Sequence, residues 1–177
     1  MIKYPIIIFS YNRPSHLNRL LRSLERNKEI SNHEIYFFCD GPKNDSDIKK
    51  ISSIKNIIKV SKLKFFEINF REANLGLSQN IIKGISKVLS KNDACIVFED
   101  DLLVEDSAID FINFFLNYES KKFKFGSVSA FSYIENFKTK ENFDYYISYR
   151  HCSWGWGTWS KIWNKIDWDN IDYNKHF

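Results

Sequence analysis

A chain of 177 residues with 44% apolar and 17% aromatic side chains can bury a hydrophobic core as one domain, which excludes a disordered protein. Only 6 Gly and 3 Pro exclude a low-complexity or collagen-like chain. The formal net charge is +4 with basic residues scattered, as at Lys49, Lys50, Lys121, Lys122 and Lys124, so nucleic acid is not an expected partner.

Ile6-Ile7-Ile8-Phe9 is a short, wholly apolar, β-branched run, the pattern of a strand buried on both faces. Ser10-Tyr11-Asn12-Arg13-Pro14 ends it, and Ser15 is the expected cap of a helix whose apolar face is Leu17, Leu20, Leu21 and Leu24. Ile35 to Cys39 reads as a second strand, stopped by Asp40-Gly41-Pro42 and followed by a polar helix with Ile48, Ile51 and Ile58. Phe65 to Phe70 is a third strand, and Leu77, Ile81, Ile82, Ile85, Val88 and Leu89 form a strongly periodic helix. Ala94 to Phe98 is a fourth strand, which ends in acid; Ala108, Phe111, Ile112 and Phe115 lie on the next helix, and Val128 to Phe131 is a further candidate strand.

This alternation predicts an α/β fold, a mostly parallel sheet with helices on both faces. In such sheets ligands bind beyond the carboxyl ends of the strands, near the point where strand order reverses. The loops after the strands, Ser10–Pro14, Asp40–Pro42, Arg71–Gly76 and Glu99–Asp101, are the most polar punctuation in the chain and are expected on one rim. No internal repeat or linker breaks the chain, which reads as a single domain over 1–177.

Cys39, Cys95 and Cys152 form no C-x-x-C pair, so neither a zinc site nor a disulfide framework is expected. Buried thiols in apolar runs point to a reducing compartment, the cytoplasm. The scattered basic charge leaves a weak, peripheral attraction to the inner membrane face as a further expectation. The apolar run Ile6–Phe9 is too short for a signal-peptide core, and no stretch approaches the length of a membrane span.

The chemistry concentrates at Ile96-Val97-Phe98-Glu99-Asp100-Asp101-Leu102, where three carboxylates directly follow a buried strand. Unpaired, they repel one another. A hard divalent cation, Mn²⁺ or Mg²⁺, relieves that repulsion and bridges the phosphates of a nucleotide diphosphate. The bland alternative is an acidic turn before the next helix, with Asp106 or Ser107 at its N-terminus. No Walker loop, dinucleotide fingerprint or G-x-S-x-G elbow occurs. The dispersed His16, His33, His151 and His176 are expected to be structural or exposed.

The strand followed by Ser10-Tyr11-Asn12-Arg13-Pro14, then Cys39-Asp40-Gly41, the Arg71-x-x-Asn74-x-Gly76-Leu77 turn and the strand ending in Glu99-Asp100-Asp101 together resemble GT-A glycosyltransferases. The likeness is greatest to the N-acetylglucosaminyltransferase I type and more distant to family 2 transferases. Val97 to Leu102 is similar to that family's metal motif; Val128-Ser129-Ala130-Phe131 and Tyr149-Arg150 to Trp154-Gly155-Trp156 look like its acceptor-side region.

The resemblance implies a nucleotide-binding half over 1–101 and the start of an acceptor-binding half over 102–177. Ser10, Asn12 and Arg13 would line the nucleotide and its phosphates, and Asp40 would meet the base or ribose. Arg71 and Asn74 would flank the donor. Glu99 and Asp100 would hold the sugar-nucleotide or the metal's waters, and Asp101 would be the direct metal ligand. Trp154 and Trp156 would border the acceptor, because an indole stacks on a sugar face while its N–H donates. The alternative for the run Trp154 to Trp159 is a core-packing turn before a helix with Ile162 and Trp163.

In the resembled family a catalytic aspartate follows this Trp-rich helix at a distance that, counted from Trp163, lands at or beyond Phe177. Asp167, Asp169 and Asp172 are nearer, weaker candidates for the base, and the chain is expected to be incomplete at its C-terminus. The implied reaction moves a hexosyl or N-acetylhexosaminyl group from a nucleotide diphosphate sugar to a hydroxyl, with inversion and a metal. The implied acceptor is a glycan or lipid-linked saccharide. Two alternatives stand beside it. A nucleotidyltransferase shares the sheet and acidic site but carries a glycine-rich loop after its first strand, which Ser10–Pro14 lacks. A non-catalytic carbohydrate-binding or assembly module is the other.

Overall fold

The computed structural model describes residues 1–118, 124–132 and 145–170. In chain order the elements are β1 (Ile6–Ser10), α1 (Pro14–Arg26), a 3₁₀ turn (Ile30–Asn32), β2 (Ile35–Cys39), α2 (Asp45–Val60), β3 (Phe65–Phe70), α3 (Leu77–Leu89) and β4 (Ala94–Glu99). Then follow α4 (Ala108–Asn117), β5 (Val128–Ser129), β6 (Trp156–Trp159) and the short α5 (Ser160–Trp163).

The six strands form one sheet in the order β3-β2-β1-β4-β6-β5. β1, β2, β3 and β4 are parallel, and β6 runs antiparallel to β4 and β5. Strand order reverses between β1 and β4, which opens the crevice that such a sheet offers to ligands. The register aligns the ends: Ser10 lies opposite Cys39, and Phe9 opposite both Phe38 and Glu99. The polar loops after β1, β2 and β4 therefore leave from one edge.

Two cores sandwich the sheet. Ile6, Ile8, Phe37, Ile96 and Phe98 face α1, α2 and α4, while Ile7, Phe9, Phe38, Cys95 and Val97 face α3 and Trp163 of α5. Because both faces are covered, β1 and β2 are buried at every position, which is why they are apolar without alternation. Leu17, Leu20 and Leu24 of α1 are fully buried, each contributing about 1.5–3 kcal/mol.

Some local expectations are corrected. Helix α1 begins two residues earlier than the capping argument placed it: Arg13, not Ser15, holds the N-cap position, without a side-chain bond, and Pro14, with its fixed φ, starts the helix. In α2 the core positions are Ile51, Ile54 and Ile58, whereas Ile48 is exposed. Ser107 stands at the N-cap of α4 without a side-chain bond, and the strand expected over Val128–Phe131 is only Val128–Ser129. The run from Trp156 is neither turn nor loop but strand β6. A Cβ on Gly157 would sit 2.8 Å from Ile112 Cγ2 and 2.9 Å from Leu116 Cδ1, so the glycine lets α4 lie directly on β6.

Among the described residues no helix is long and apolar enough to cross a membrane. Cys39, Cys95 and Cys152 are free and buried, and burial pushes the Cys39 thiol up to about 12.

Candidate functional site

At the carboxyl edge, the ends of β1, β2 and β4 and the loop before α3 surround an open cleft of about 340 Å³. Its walls include Ser10, Tyr11, Asn12, Arg13, Asp40, Lys43, Asn74, Gly76, Asn80, Glu99 and Asp100. The volume lies at the small end of the range for ligand pockets.

The acidic end of β4 is joined to β1. Asp100 is 1% exposed, and its Oδ2 accepts from Ser10 Oγ at 2.8 Å and from the Tyr11 backbone N–H at 3.2 Å. Its Oδ1 lies 2.5 Å from Arg13 Nη2. Arg13 Nη1 donates to Asp101 Oδ2 at 2.9 Å. Burial pulls the Arg13 pKa down, but Asp100 and Asp101 outweigh it and raise the guanidinium above its ordinary value. Glu99 is pushed up, first by burial and then by Asp101 and Asp100, with Arg13 opposing. Three carboxylates face one guanidinium, so the edge keeps an excess of negative charge.

The loop after β2 is organised by Asp40. Its Oδ1 accepts from the N–H groups of Gly41 (2.9 Å) and Leu75 (2.8 Å), and its Oδ2 from Asn74 Nδ2 (3.0 Å) and the Gly76 N–H (3.0 Å). The carboxylate lines the cleft, but its acceptor capacity is spent on the loop before α3. The same loop explains Gly41, where a Cβ would sit 2.3 Å from the Ala73 carbonyl carbon.

Asp47 in the first turn of α2 ties the β1 loop down. It accepts from Tyr11 Oη (2.5 Å), Asn12 Nδ2 (2.7 Å) and the Lys43 N–H (3.0 Å). The bonds from Asn12 and Tyr11 lower its pKa to about 2. Burial, then Asp47, pushes the Tyr11 phenol up to about 12.

Of the residues expected at the donor, Ser10, Asn12, Arg13, Asp40, Asn74, Glu99 and Asp100 share the cleft wall. Arg71 instead stacks over Phe38, 5.6 Å from the ring centroid, and donates through Nε to Asn80, which lines the wall. Asp101 stands beside the cleft with its side chain 44% exposed. The two tryptophans expected at the acceptor part company. Trp154 is half-exposed, edge-to-face with Phe131 at 4.6 Å, whereas Trp156 is buried in the core between His151 and Trp163. Asp167 and Asp169 are exposed and do not line the cleft. Asp167 accepts from the Asp169 and Asn170 N–H groups and from Asn170 Nδ2, which lowers its pKa, the Asn170 side-chain bond most of all. Asp172 lies outside the described residues.

The sequence reading missed Asp47, Tyr11, Lys43 and Asn80. Asn80 carries a signal, a buried polar residue within an apolar helical period; Asn44-x-x-Asp47 is another, since Asn44 caps α2 by accepting from the Asp47 N–H.

The acids at the end of β4 bear on whether a divalent cation fits this edge. Among the described residues no group of three or more His, Cys, Asp or Glu is arranged to hold one. Asp100 has one oxygen committed to Ser10 and Tyr11, and Asp101 is accessible. Magnesium-type ions commonly take one or two carboxylates and complete their shell with water and substrate phosphate. The residues therefore fit only a cation that needs one or two protein carboxylates, of which the accessible Asp101 is one.

Comparison with known proteins bears on the fold and the family. The chain resembles S. aureus TarS (residues 1–349) at 16% identity and TM-score 0.45, covering 62% of this chain and 30% of that one. A Desulfovibrio desulfuricans G20 protein described as a "putative nucleotide-diphospho-sugar transferase" matches at 8% identity and TM-score 0.55, covering 97% of this chain and 72% of that one. The 4-diphosphocytidyl-2C-methyl-D-erythritol synthase of Anaerococcus prevotii matches at 13% identity and TM-score 0.51, covering 98% and 81%. The last two likenesses show the fold, and this chain spans under a third of the TarS chain. No curated protein matches. The sequence model described as "Glycosyl transferase family 2" matches residues 6–177, nearly the whole chain, which selects the more distant of the two expected likenesses and sets aside the nucleotidyltransferase alternative. The chain belongs to glycosyl transferase family 2.

Proposed function

We propose that the cleft at the ends of β1, β2 and β4 binds a nucleotide diphosphate sugar and that the chain transfers its hexosyl or N-acetylhexosaminyl group to an acceptor hydroxyl on a glycan or lipid-linked saccharide. The observation that carries this reading is the convergence of Ser10, Asn12, Arg13, Glu99 and Asp100 on one cleft at the switch point of a family 2 chain.

Arg13 presents a planar fork suited to phosphate oxygens, and Asn12, fixed by Asp47, presents its remaining polar edge beside it. Asp101, with Glu99 and Asp100 behind it, would hold Mn²⁺ or Mg²⁺, which supplies charge neutralisation to the departing diphosphate. Asp40 acts by shaping the loop of Asn74 and Gly76, since its own oxygens are occupied. Attack of an acceptor hydroxyl on the anomeric carbon opposite the departing diphosphate would invert the configuration there, the outcome that the GT-A resemblance implies. Trp154, half-exposed, offers an indole for an acceptor sugar. The described residues do not supply a base beside the cleft from Asp167 or Asp169. Polysaccharide assembly is the setting that matches a glycan or lipid-linked saccharide acceptor.

A thermal-shift screen of nucleotide sugars with and without Mn²⁺ tests the reading. A Mn²⁺-dependent rise in Tm with one nucleotide diphosphate sugar is the expected result. No rise with any member of a full panel overturns it.

A further inference from the structure

Arg13 occupies a place that the donor-site reading does not by itself require. Its guanidinium spans both acids, with Nη2 at 2.5 Å from Asp100 Oδ1 and Nη1 at 2.9 Å from Asp101 Oδ2. We propose that Arg13 is a resident counter-ion that competes with the divalent cation for Asp100 and Asp101, and that it is handed to the donor's diphosphate when nucleotide and cation enter together. This rests on the donor-site reading above and adds a regulation of that site.

Several observations carry it. Asp100 is held in place: its Oδ2 is bonded to Ser10 and Tyr11, so Oδ1 is the oxygen left to face a cation. Asp100 Oδ1 is buried, and although Arg13 lies close in charge, no donor meets it with hydrogen-bond geometry. A buried carboxylate oxygen whose one close cation lacks hydrogen-bond geometry, on the wall of a cleft, is one that a second cation can contest. Charge points the same way: Glu99, Asp100 and Asp101 meet one guanidinium at the end of β4, an excess of negative charge that a divalent ion reduces.

Arg13 itself is free to leave. Its side chain is 43% exposed, it stands at the N-cap of α1 without a side-chain capping bond, and it already lines the cleft. A rotation of its side chain moves the fork from carboxylate to phosphate without disturbing the helix, and both oxyanions suit its geometry. Two cations crowded on the same pair of oxygens repel, so the cation and Arg13 exclude each other there. A diphosphate removes the conflict by taking Arg13, which makes nucleotide and cation bind cooperatively.

The experiment measures Mn²⁺ binding by the electron paramagnetic resonance of free Mn²⁺, and UDP and GDP binding by calorimetry, for the parent, Arg13→Met and Arg13→Lys. Arg13→Met keeps the aliphatic stem and removes the competitor. It is expected to bind Mn²⁺ alone about tenfold or more tighter than the parent, because a like charge beside the ion is removed. It is also expected to bind the preferred nucleoside diphosphate, at saturating Mn²⁺, about ten- to a hundredfold more weakly. A residue with a merely structural role would weaken both. Arg13→Lys, which keeps a charge but not the fork, is expected between the two and serves where Arg13→Met does not fold. Mn²⁺ affinity unchanged or lowered in the folded variants overturns the proposal. If no protein binds UDP or GDP, the donor-site reading is what fails, and the Mn²⁺ arm still decides the competition.

Discussion

Asp47 accepts the phenolic hydroxyl of Tyr11 at 2.5 Å, and through it the first turn of α2 holds the loop that follows β1. Asn12 binds the other oxygen of the same carboxylate at 2.7 Å. One buried acid thus sets the position of two cleft residues from a neighbouring element. Asp47→Ala is expected to weaken nucleoside diphosphate binding on the order of tenfold, because the wall loses its fixed geometry before the ligand arrives. Calorimetry on the folded variant checks this; unchanged affinity would show that Tyr11 and Asn12 are held by other means.

The same residue predicts a pH dependence. The folded pKa of Asp47 is lowered to about 2 by the bonds from Asn12 and Tyr11. A depressed carboxylate contributes stability that is present above its unfolded value, near 4, and is lost as pH falls toward 2. Urea midpoints of the parent and Asp47→Asn between pH 6 and pH 2 should therefore converge at the acid end. Parallel curves across that window contradict the assignment.

Gly41 is required by a close approach. A Cβ there meets the Ala73 carbonyl carbon at 2.3 Å, in the loop that Asp40 bonds. Gly41→Ala forces the two loops apart and is expected to cost about 1–3 kcal/mol. Denaturant unfolding measures it, and a loss below ~0.5 kcal/mol means that the loops move apart at little cost.

Asp101 is exposed where Asp100 is buried, so the two acids separate stability from binding. Asp101→Ala should leave stability within about 1 kcal/mol of the parent while abolishing the Mn²⁺-dependent part of nucleoside diphosphate binding. Binding as tight as the parent's at saturating Mn²⁺ removes Asp101 as the ligand.

The two tryptophans give opposite expectations. Trp156→Ala opens the core beside Trp163 and should cost about 3–5 kcal/mol. Trp154→Ala removes an edge-to-face pair with Phe131, a loss of about 0.5–1.5 kcal/mol, and under the proposed function it raises the KM for acceptor. Thermal unfolding and acceptor-dependent kinetics distinguish them. Equal destabilisation by both would place Trp154 in the core as well.

The alternation of strands and helices was legible because periodicity is written within a few consecutive residues. Apolar runs such as Ile6–Phe9 mark strands covered on both faces, and Leu17, Leu20, Leu21 and Leu24 mark one helix face. Parallel strands send their carboxyl ends to one edge, so that rule alone gathered Ser10–Pro14, Asp40–Pro42 and Glu99–Asp101 onto a common rim. What only the tertiary structure decided is who partners whom there. The adjacency of β1 and β4, which lays Arg13 across Asp100 and Asp101, is a contact between residues far apart in sequence, and local pattern carries no record of it. Asp40 and Asp47 look alike as loop acids; one is consumed by backbone N–H groups of the Asn74–Gly76 turn, the other by Tyr11 and Asn12. Trp156–Trp159 became a strand because β4 presented an unpaired edge and Gly157 let α4 close over it, an outcome that its glycine-broken sequence, read alone, disguised as a turn.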